Sequence, residues 1–429
     1  MTHRFAALLT SAVVIAALAG GRTDAQQAAA VPTFSKDVAP ILYKHCVSCH
    51  RPGEIAPMSL LTYREARPYA QAITNAVLGR TMPPWHADAP PGTFHNERSL
   101  SDEERTVLTA WSAHGAPNGD PNDLPPQPVF TEGWSLGKPD LVLEMLEDYR
   151  LPPKGTIQYE WFYIPTNFTE PKWVKSIEIR PGNRAVVHHV LVYYRAKPDA
   201  KLPPVARGNA KHQSNPPPDE PGVSKRPRRN DLTGMPPRLI ATYAPGTNPQ
   251  VAPAGTAFRL EPGGIIELQM HYTATGLPAS DRTKLGLTFA TDPSPREVRA
   301  HHFMNMTMKL PAGAADVAVT TDLEFLRDTT VWGLFPHTHL RGKRWAYTLE
   351  LPNGEKRSIL SVPRYDFNWQ TYYMFKEPLQ VPKGAKIIST AWYDNSAANR
   401  NNPNPKLDVL WGEQTWQEMQ YTGVLLSPN

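Results

Sequence analysis

The chain has 429 residues, 40% of them hydrophobic, so it can bury real cores and is neither a disordered polymer nor a short scaffold in need of staples. Its 46 prolines and 27 glycines argue against long helices and coiled coils and for many turns between short strands, a mostly β chain. With 45 basic against 40 acidic residues and one short basic run at Lys225 to Arg229, the charge gives no support to nucleic-acid binding.

Residues 1–25 read as a signal peptide. Arg4 precedes an apolar run from Phe5 to Leu18, and small residues lead to Thr23-Asp24-Ala25. That run is shorter than the roughly 20 residues a bilayer span needs. Cleavage and export are expected, to the periplasm or as a secreted protein, with no stable membrane span.

Residues 31–117 read as a small all-α domain. A helix beginning at Ser35-Lys36-Asp37 would run through Val38, Ile41 and Leu42, and Tyr63 to Leu78 has the composition of a second. The last helix has the clearest ends. Ser101 and Glu104 form a capping-box pattern, Asp102 and Glu103 suit the positive N-terminal end, Val107, Leu108 and Trp111 share a face, and Gly115 can stop it.

The only two cysteines of the chain stand in Cys46-Val47-Ser48-Cys49-His50. This spacing puts two thiols one turn apart, able to form thioethers to the vinyl groups of a haem, with the His50 imidazole aimed at the iron. A thioredoxin-like redox pair would not explain the trailing histidine, and a zinc site would need a second cysteine pair. The expected cofactor is a covalently attached c-type haem, and the stretch resembles the small monohaem cytochrome c fold.

The other axial ligand should be a Met or His returned by a later loop. Met82, in Arg80-Thr81-Met82-Pro83-Pro84-Trp85, fits best, because the prolines stiffen the loop and remove backbone donors near the thioether. Met58, His86 and His95 are its rivals. A Met82 ligand leaves no open iron position, so the haem would carry electrons rather than bind oxygen.

Residues 118–130 are a linker by composition. Short strands follow at Val186 to Tyr194, Ile265 to Tyr272, Thr330 to Leu334, Trp345 to Leu351 and Ile387 to Tyr393, with a tight hairpin turn at Asn353-Gly354. Asn215 to Arg238, rich in proline and arginine, reads as a long surface excursion. The strands are expected to divide into two β-sandwiches, 131–280 and 281–429.

Several histidines sit in apolar, strand-like surroundings. His337-Thr338-His339 follows Val331-Trp332-Gly333-Leu334-Phe335, and residues two apart on a strand share a face, so both imidazoles can reach one ion. The same spacing also occurs on a solvent-facing strand. Met419 could add a thioether, and a His, His, Met set favours copper over zinc or iron. A second group joins His188-His189 with His271. Adjacent strand residues face opposite ways, so one ion takes both only at a twist or bulge; otherwise one points in and one out. His301-His302 is a further pair, read as strand and surface, or as a residue behind the ligands.

From about 130 to 428 the chain resembles the copper type II, ascorbate-dependent monooxygenases, the family of dopamine β-monooxygenase and peptidylglycine α-hydroxylating monooxygenase. The matching pieces stand in family order: His188-His189-Val190, Leu268-Gln269-Met270-His271-Tyr272, His337-Thr338-His339-Leu340-Arg341-Gly342-Lys343, and Glu418-Met419. The resemblance implies two jelly-roll-like sandwiches carrying two copper ions. His188, His189 and His271 would hold the copper that stores an electron; His337, His339 and Met419 would hold the catalytic one that meets O2 and a small organic substrate. It also implies an external electron donor, ascorbate or a redox protein.

Three departures from the family are visible. The better-known animal members carry several disulfides, whereas these cysteines are committed to haem. Phe335 stands where the peptide-hydroxylating enzyme has an arginine for its substrate's carboxylate, which disfavours peptidyl-glycine substrates. The haem segment suggests that electrons enter through haem, replacing ascorbate in part or in whole. Two other readings compete: an exported haem and copper electron-transfer or redox-sensing protein that hydroxylates nothing, and a copper-binding interaction module.

Overall fold

The computed structural model describes residues 30–429 apart from 53, 55, 131–132, 156, 197–237 and 245–248. The expected signal peptide and the proline-rich excursion, save Arg238, lie outside the described residues. What is described is mostly β-sheet with few helices.

The helices lie at the N-terminal side. A helical turn Phe34–Val38 runs into Ala39–His45; Tyr63–Ala66 and Ala70–Leu78 follow, and then Asp102–Ala113. Ser101 Oγ accepts from the Glu104 backbone N–H while the Glu104 carboxylate accepts from Ser101 N, the reciprocal cap that the sequence suggested. Glu104 does more than cap. It also accepts from Lys44 Nζ and His45 Nε2, both at 3.0 Å, and so ties the end of Ala39–His45 to the last helix. Phe34, Leu42, Leu108 and Trp111 are fully buried and form the centre of this small core.

Two pairs of sheets follow, each pair closing over one apolar core. In the first pair, one sheet runs Leu141–Glu144, Lys284–Phe289, Lys172–Arg180, Thr256–Leu260, Arg296–Glu297, and the other runs Glu160–Pro165, Ile265–Tyr272, Val187–Arg195, Arg238–Tyr243. Ile265–Tyr272 is buried on nearly every residue, as expected of a central strand with cover on both faces. In the second pair, Arg299–Met304, Tyr421–Pro428, Thr329–His337 and Tyr373–Val381 face Val317–Glu324, Lys386–Tyr393, Gly342–Glu350 and Lys356–Val362. Lys386–Tyr393 alternates strictly: Ile387, Ser389, Ala391 and Tyr393 point inward and their neighbours are partly exposed, the period of two that marks a half-covered sheet.

Two expected boundaries move. Lys284–Phe289 pairs with both Leu141–Glu144 and Lys172–Arg180, and Arg296–Glu297 pairs with Thr256–Leu260, so the first pair of sheets extends to Glu297 and not to 280. The strand at 284–289 is short and apolar, and nothing in its composition says which sheet it joins.

The helical segment is also not self-contained over 31–117. Trp85, Ala87, Ala89 and Phe94 pack into the core of the second pair of sheets. Phe94 bridges to Phe375, His95 N donates to Met374 O at 2.7 Å, and Lys376 N donates to Thr93 O at 3.0 Å, so this stretch lies along the edge strand Tyr373–Val381. Rings of Trp85, Phe94 and Tyr373 meet edge to face at 5.1 to 5.8 Å. An edge strand with free N–H and C=O groups accepts such a partner readily.

Because Phe94 is only 4% exposed, its replacement by alanine should cost about 3–5 kcal/mol. The measurement is urea unfolding of the β part, and an unchanged midpoint would mean that 31–117 folds apart from it.

Candidate metal centres

The first centre depends on one extra residue. Val187 pairs with Tyr272 and His189 pairs with His271, so His188 has no partner across the ladder. This is a β-bulge, and it breaks the alternation that would send consecutive side chains to opposite faces. Both rings turn toward His271. His188 Nδ1 lies 3.2 Å from His189 Nδ1, and His271 Nδ1 lies 3.4 Å from the same atom. The ligating nitrogens of all three are within 4.8 Å of one another.

That spacing fits a shared ion. Two nitrogens each about 2.0–2.1 Å from a metal, at a near-tetrahedral angle, stand about 3.3–3.4 Å apart. Hydrogen bonding among the rings explains it less well, since a proton shared by one pair leaves the third nitrogen's lone pair buried without a donor. Burial holds all three imidazoles below their ordinary pKa, His271 down to about 3, and the neighbouring rings lower His189 and His271 further. The rings are therefore neutral, which is the ligating form. Tyr159 packs edge-on against His189 and His271. An open cleft of about 410 Å³, lined by Pro153, Lys154, Ile157 and His271, approaches from solvent.

The second centre forms where Thr329–His337 ends. The His337 and His339 rings are 5.2 Å apart and nearly perpendicular. His337 Nδ1 donates to Gln370 Oε1 at 2.7 Å, and His339 Nδ1 donates to the Gln417 carbonyl at 3.2 Å. Each ring is thereby fixed in the tautomer whose Nε2 carries a free lone pair, the arrangement that orients histidine toward a metal. Burial pushes His337 down to about 4 and His339 well below its usual value.

The Met419 backbone is tied to the His-x-His turn through Glu418. Glu418 Oε2 accepts from His339 N at 2.8 Å and from Met419 N at 3.2 Å, while Oε1 accepts from Arg341 N at 2.7 Å. One buried carboxylate thus stitches the His-x-His turn to the methionine segment, and Tyr393 Oη donates to Met419 O at 2.7 Å from the other side. Burial pushes the Glu418 carboxyl up to about 7, with Arg341 and the backbone donors pulling the other way. The turn admits only glycine at 342, because a Cβ there would run into the Thr338 side chain.

Around the cysteines, the backbone continues from Ala39–His45 as a turn in which Cys49 N and His50 N both bond to Cys46 O. His50 Nδ1 donates to Met58 O at 3.3 Å, leaving Nε2 free. Both cysteines are free thiols and partly exposed. Met82 is partly buried beyond Ala70–Leu78, Met58 packs on the helical core, His95 is exposed, and His86 is lowered in pKa by burial, with Asp366 and Arg364 nearby.

Several residues that touch these groups carried no signal in the sequence. Phe367 packs against His188 at 5.9 Å, His189 at 6.3 Å and His339 at 5.9 Å. Gln370, three residues on, holds His337. Phe335 is 1% exposed and stacks between His337 and Tyr372, in the core rather than facing open space. His301 is exposed, while the His302 ring stacks on Tyr421, which in turn meets His337 at 5.8 Å.

No family model matches the chain, and no curated protein matches it. Among solved structures, it is similar to the major capsid protein P2 of bacteriophage PM2, with 9% identity, a TM-score of 0.27 and coverage of 67% of this chain and 97% of that one. It is also similar to the infectious bursal disease virus Gx strain structure, with 10% identity, a TM-score of 0.19 and coverage of 67% and 72%. The T=3 Penaeus vannamei nodavirus matches with 10% identity, a TM-score of 0.16 and coverage of 71% and 97%. Scores this low establish neither a shared fold nor a shared activity.

Replacing Glu418 with glutamine turns one acceptor into a donor facing a buried backbone N–H. A loss of about 1–3 kcal/mol is expected, read by urea unfolding. A variant as stable as the parent would show that the carboxylate does not hold the turn.

Proposed function

We propose that this chain is an exported copper-dependent monooxygenase that hydroxylates a C–H bond of a small organic substrate with O2, with electrons delivered through a covalently attached c-type haem. On this reading the helical part is cytochrome c-like and the paired sheets are two jelly-roll-like domains. The observation that carries the proposal is the bulge at His188, which converges three neutral imidazole nitrogens at metal-ligand spacing.

His188, His189 and His271 would hold one copper, and His337, His339 and Met419 the other. Bound copper supplies one-electron chemistry and, at the thioether-ligated centre, activation of O2; bound haem supplies electrons. The chain's own residues do the rest. Gln370 and the Gln417 carbonyl hold the second pair of imidazoles in one tautomer. The Met58 carbonyl does the same for His50.

Glu54 pairs with Arg51 and with Arg184, and Arg184 leads directly into the strand bearing His188, so the turn after Cys49-His50 is fastened beside the first centre. This supports electron entry from haem into the first copper. Buried apolar rings at Phe335, Phe367 and Tyr372 favour an uncharged substrate over a peptide carboxylate.

Metal analysis of the purified full-length protein tests the proposal directly. It should find haem iron and two equivalents of copper. His188→Ala should lose one copper and His337→Ala the other, both keeping haem, while Cys46→Ser should lose haem and keep copper. Substrate-dependent O2 uptake should accompany full loading. Haem with little copper, and oxygen uptake indifferent to any organic substrate, would mark an electron-transfer protein instead.

A second prediction concerns haem as the donor. Met82→Ala should slow copper reduction by about tenfold or more, through a changed haem potential, while copper content stays the same. Stopped-flow reduction followed by copper EPR measures it, and equal rates with and without haem would remove haem from the path.

A further inference from the structure

The segment between Lys356–Val362 and Tyr373–Val381 belongs to no sheet, yet it touches both histidine groups. Phe367 lies parallel to His188, at 20° between planes, and edge-on to His189 and His339, at 86° to each. A single phenyl ring thus fills the space between the two proposed copper centres. It is 8% exposed.

The loop holds itself in shape with local bonds. Trp369 N donates to Asp366 O at 3.0 Å, Asn368 N to Asp366 Oδ1 at 2.9 Å, and Gln370 Nε2 to Phe367 O at 3.2 Å. Its far end is clamped from outside. Asn96 donates from Nδ2 to Tyr372 O at 2.6 Å and accepts from Met374 N at 3.1 Å.

A substrate that reacts between the centres has to take the place of that ring. The ring can turn aside while the loop backbone stays where its internal bonds, Gln370 on His337 and Asn96 at its far end hold it. The space it would vacate is flat, phenyl-sized and walled by neutral imidazoles.

We propose that Phe367 is the specificity gate of this protein: its side chain swings aside, and an uncharged, flat, phenyl-sized part of the substrate occupies its place. The inference rests on the two-copper reading above.

The test uses full-length, copper-loaded protein in the Cu(II) state. Benzyl alcohol is the uncharged probe and benzenesulfonate the charged one, with perturbation of the copper EPR signals as readout. Benzyl alcohol should perturb the signals and benzenesulfonate should not. Phe367→Ala should bind benzyl alcohol about tenfold more tightly or better, because the cost of displacing the ring is gone. Phe367→Trp should lose the response.

Calorimetry with benzyl alcohol on the metal-free protein should rank the variants in the same order, and Phe367→Leu replaces the alanine variant if that one melts early. Affinities that differ by less than about twofold across the Phe367 series, or equal binding of the two probes, would overturn the gate. Missing copper in the parent protein would instead sink the functional reading, while the calorimetric ranking would still decide the gate.

Discussion

A β-strand sends successive side chains to opposite faces, so two consecutive histidines cannot ordinarily serve one centre. Everything proposed for the first centre depends on the single unpaired residue that relieves this constraint. With His188 bulged out of the ladder, His189 stays in register opposite His271 and all three Nδ1 atoms converge. A bulge costs local pairing and adds twist, and such features persist where they re-aim a side chain. Here the surrounding strand is deeply buried, with Val187, Val190 and Val192 anchoring it. From His189 to Arg195 it stays in register with Ile265–Tyr272, and its other register shift, at Val192/Tyr193, is against Arg238–Tyr243 on the opposite edge.

The second centre solves a different problem, that of bringing a strand end and a distant C-terminal segment together. Glu418 does this with three backbone N–H groups, from His339, Arg341 and Met419, on one buried carboxylate. An ionised acceptor binds such donors more strongly than a neutral one would. Arg341, itself fully buried, bonds onward to Asn395 and to the Trp416 carbonyl. The His-x-His turn is therefore framed from below, and its histidines are pinned from the side by Gln370 and the Gln417 carbonyl. The two histidine groups share one neighbour, the Phe367 ring.

The sequence was most informative where short-range chemistry decides the outcome. The capping box at Ser101 and Glu104, the strand at Ile265–Tyr272 and the turn at Asn353-Gly354 were all readable, because each depends on residues a few positions apart. The pairing of His188 with His189 was legible only as a condition, that a bulge be present; no residue type marks the bulge itself. The long-range contacts were hidden. Phe94 and Trp85 look like loop aromatics in a helical domain, yet they complete a β core far along the chain. Gln370 and Phe367 sit in an aromatic-rich stretch whose Tyr365, Phe367 and Trp369 alternate as in a strand, yet it joins no sheet, and only the fold brings them onto the histidines. The changeover between sheet pairs was misplaced because the strand Lys284–Phe289 carries no information about its partners.

The threading of residues 85–96 along the edge strand bears on why the helical part is held where it is. A domain on a flexible tether meets its partner at an effective concentration set by the linker, and the distance for electron transfer then fluctuates. This chain fastens its cysteine-bearing part at two places instead. Glu54 with Arg184 fixes it beside the first histidine group, and Phe94 with Asn96 fixes it to the sheet and loop beside the second. Two attachments resist rotation as well as separation, which one salt bridge at a partly exposed site could not do alone. The arrangement therefore holds the Cys46–His50 turn in a constant relation to both histidine groups, and it makes the segment that carries Met82 part of the same scaffold as the loop that carries Phe367.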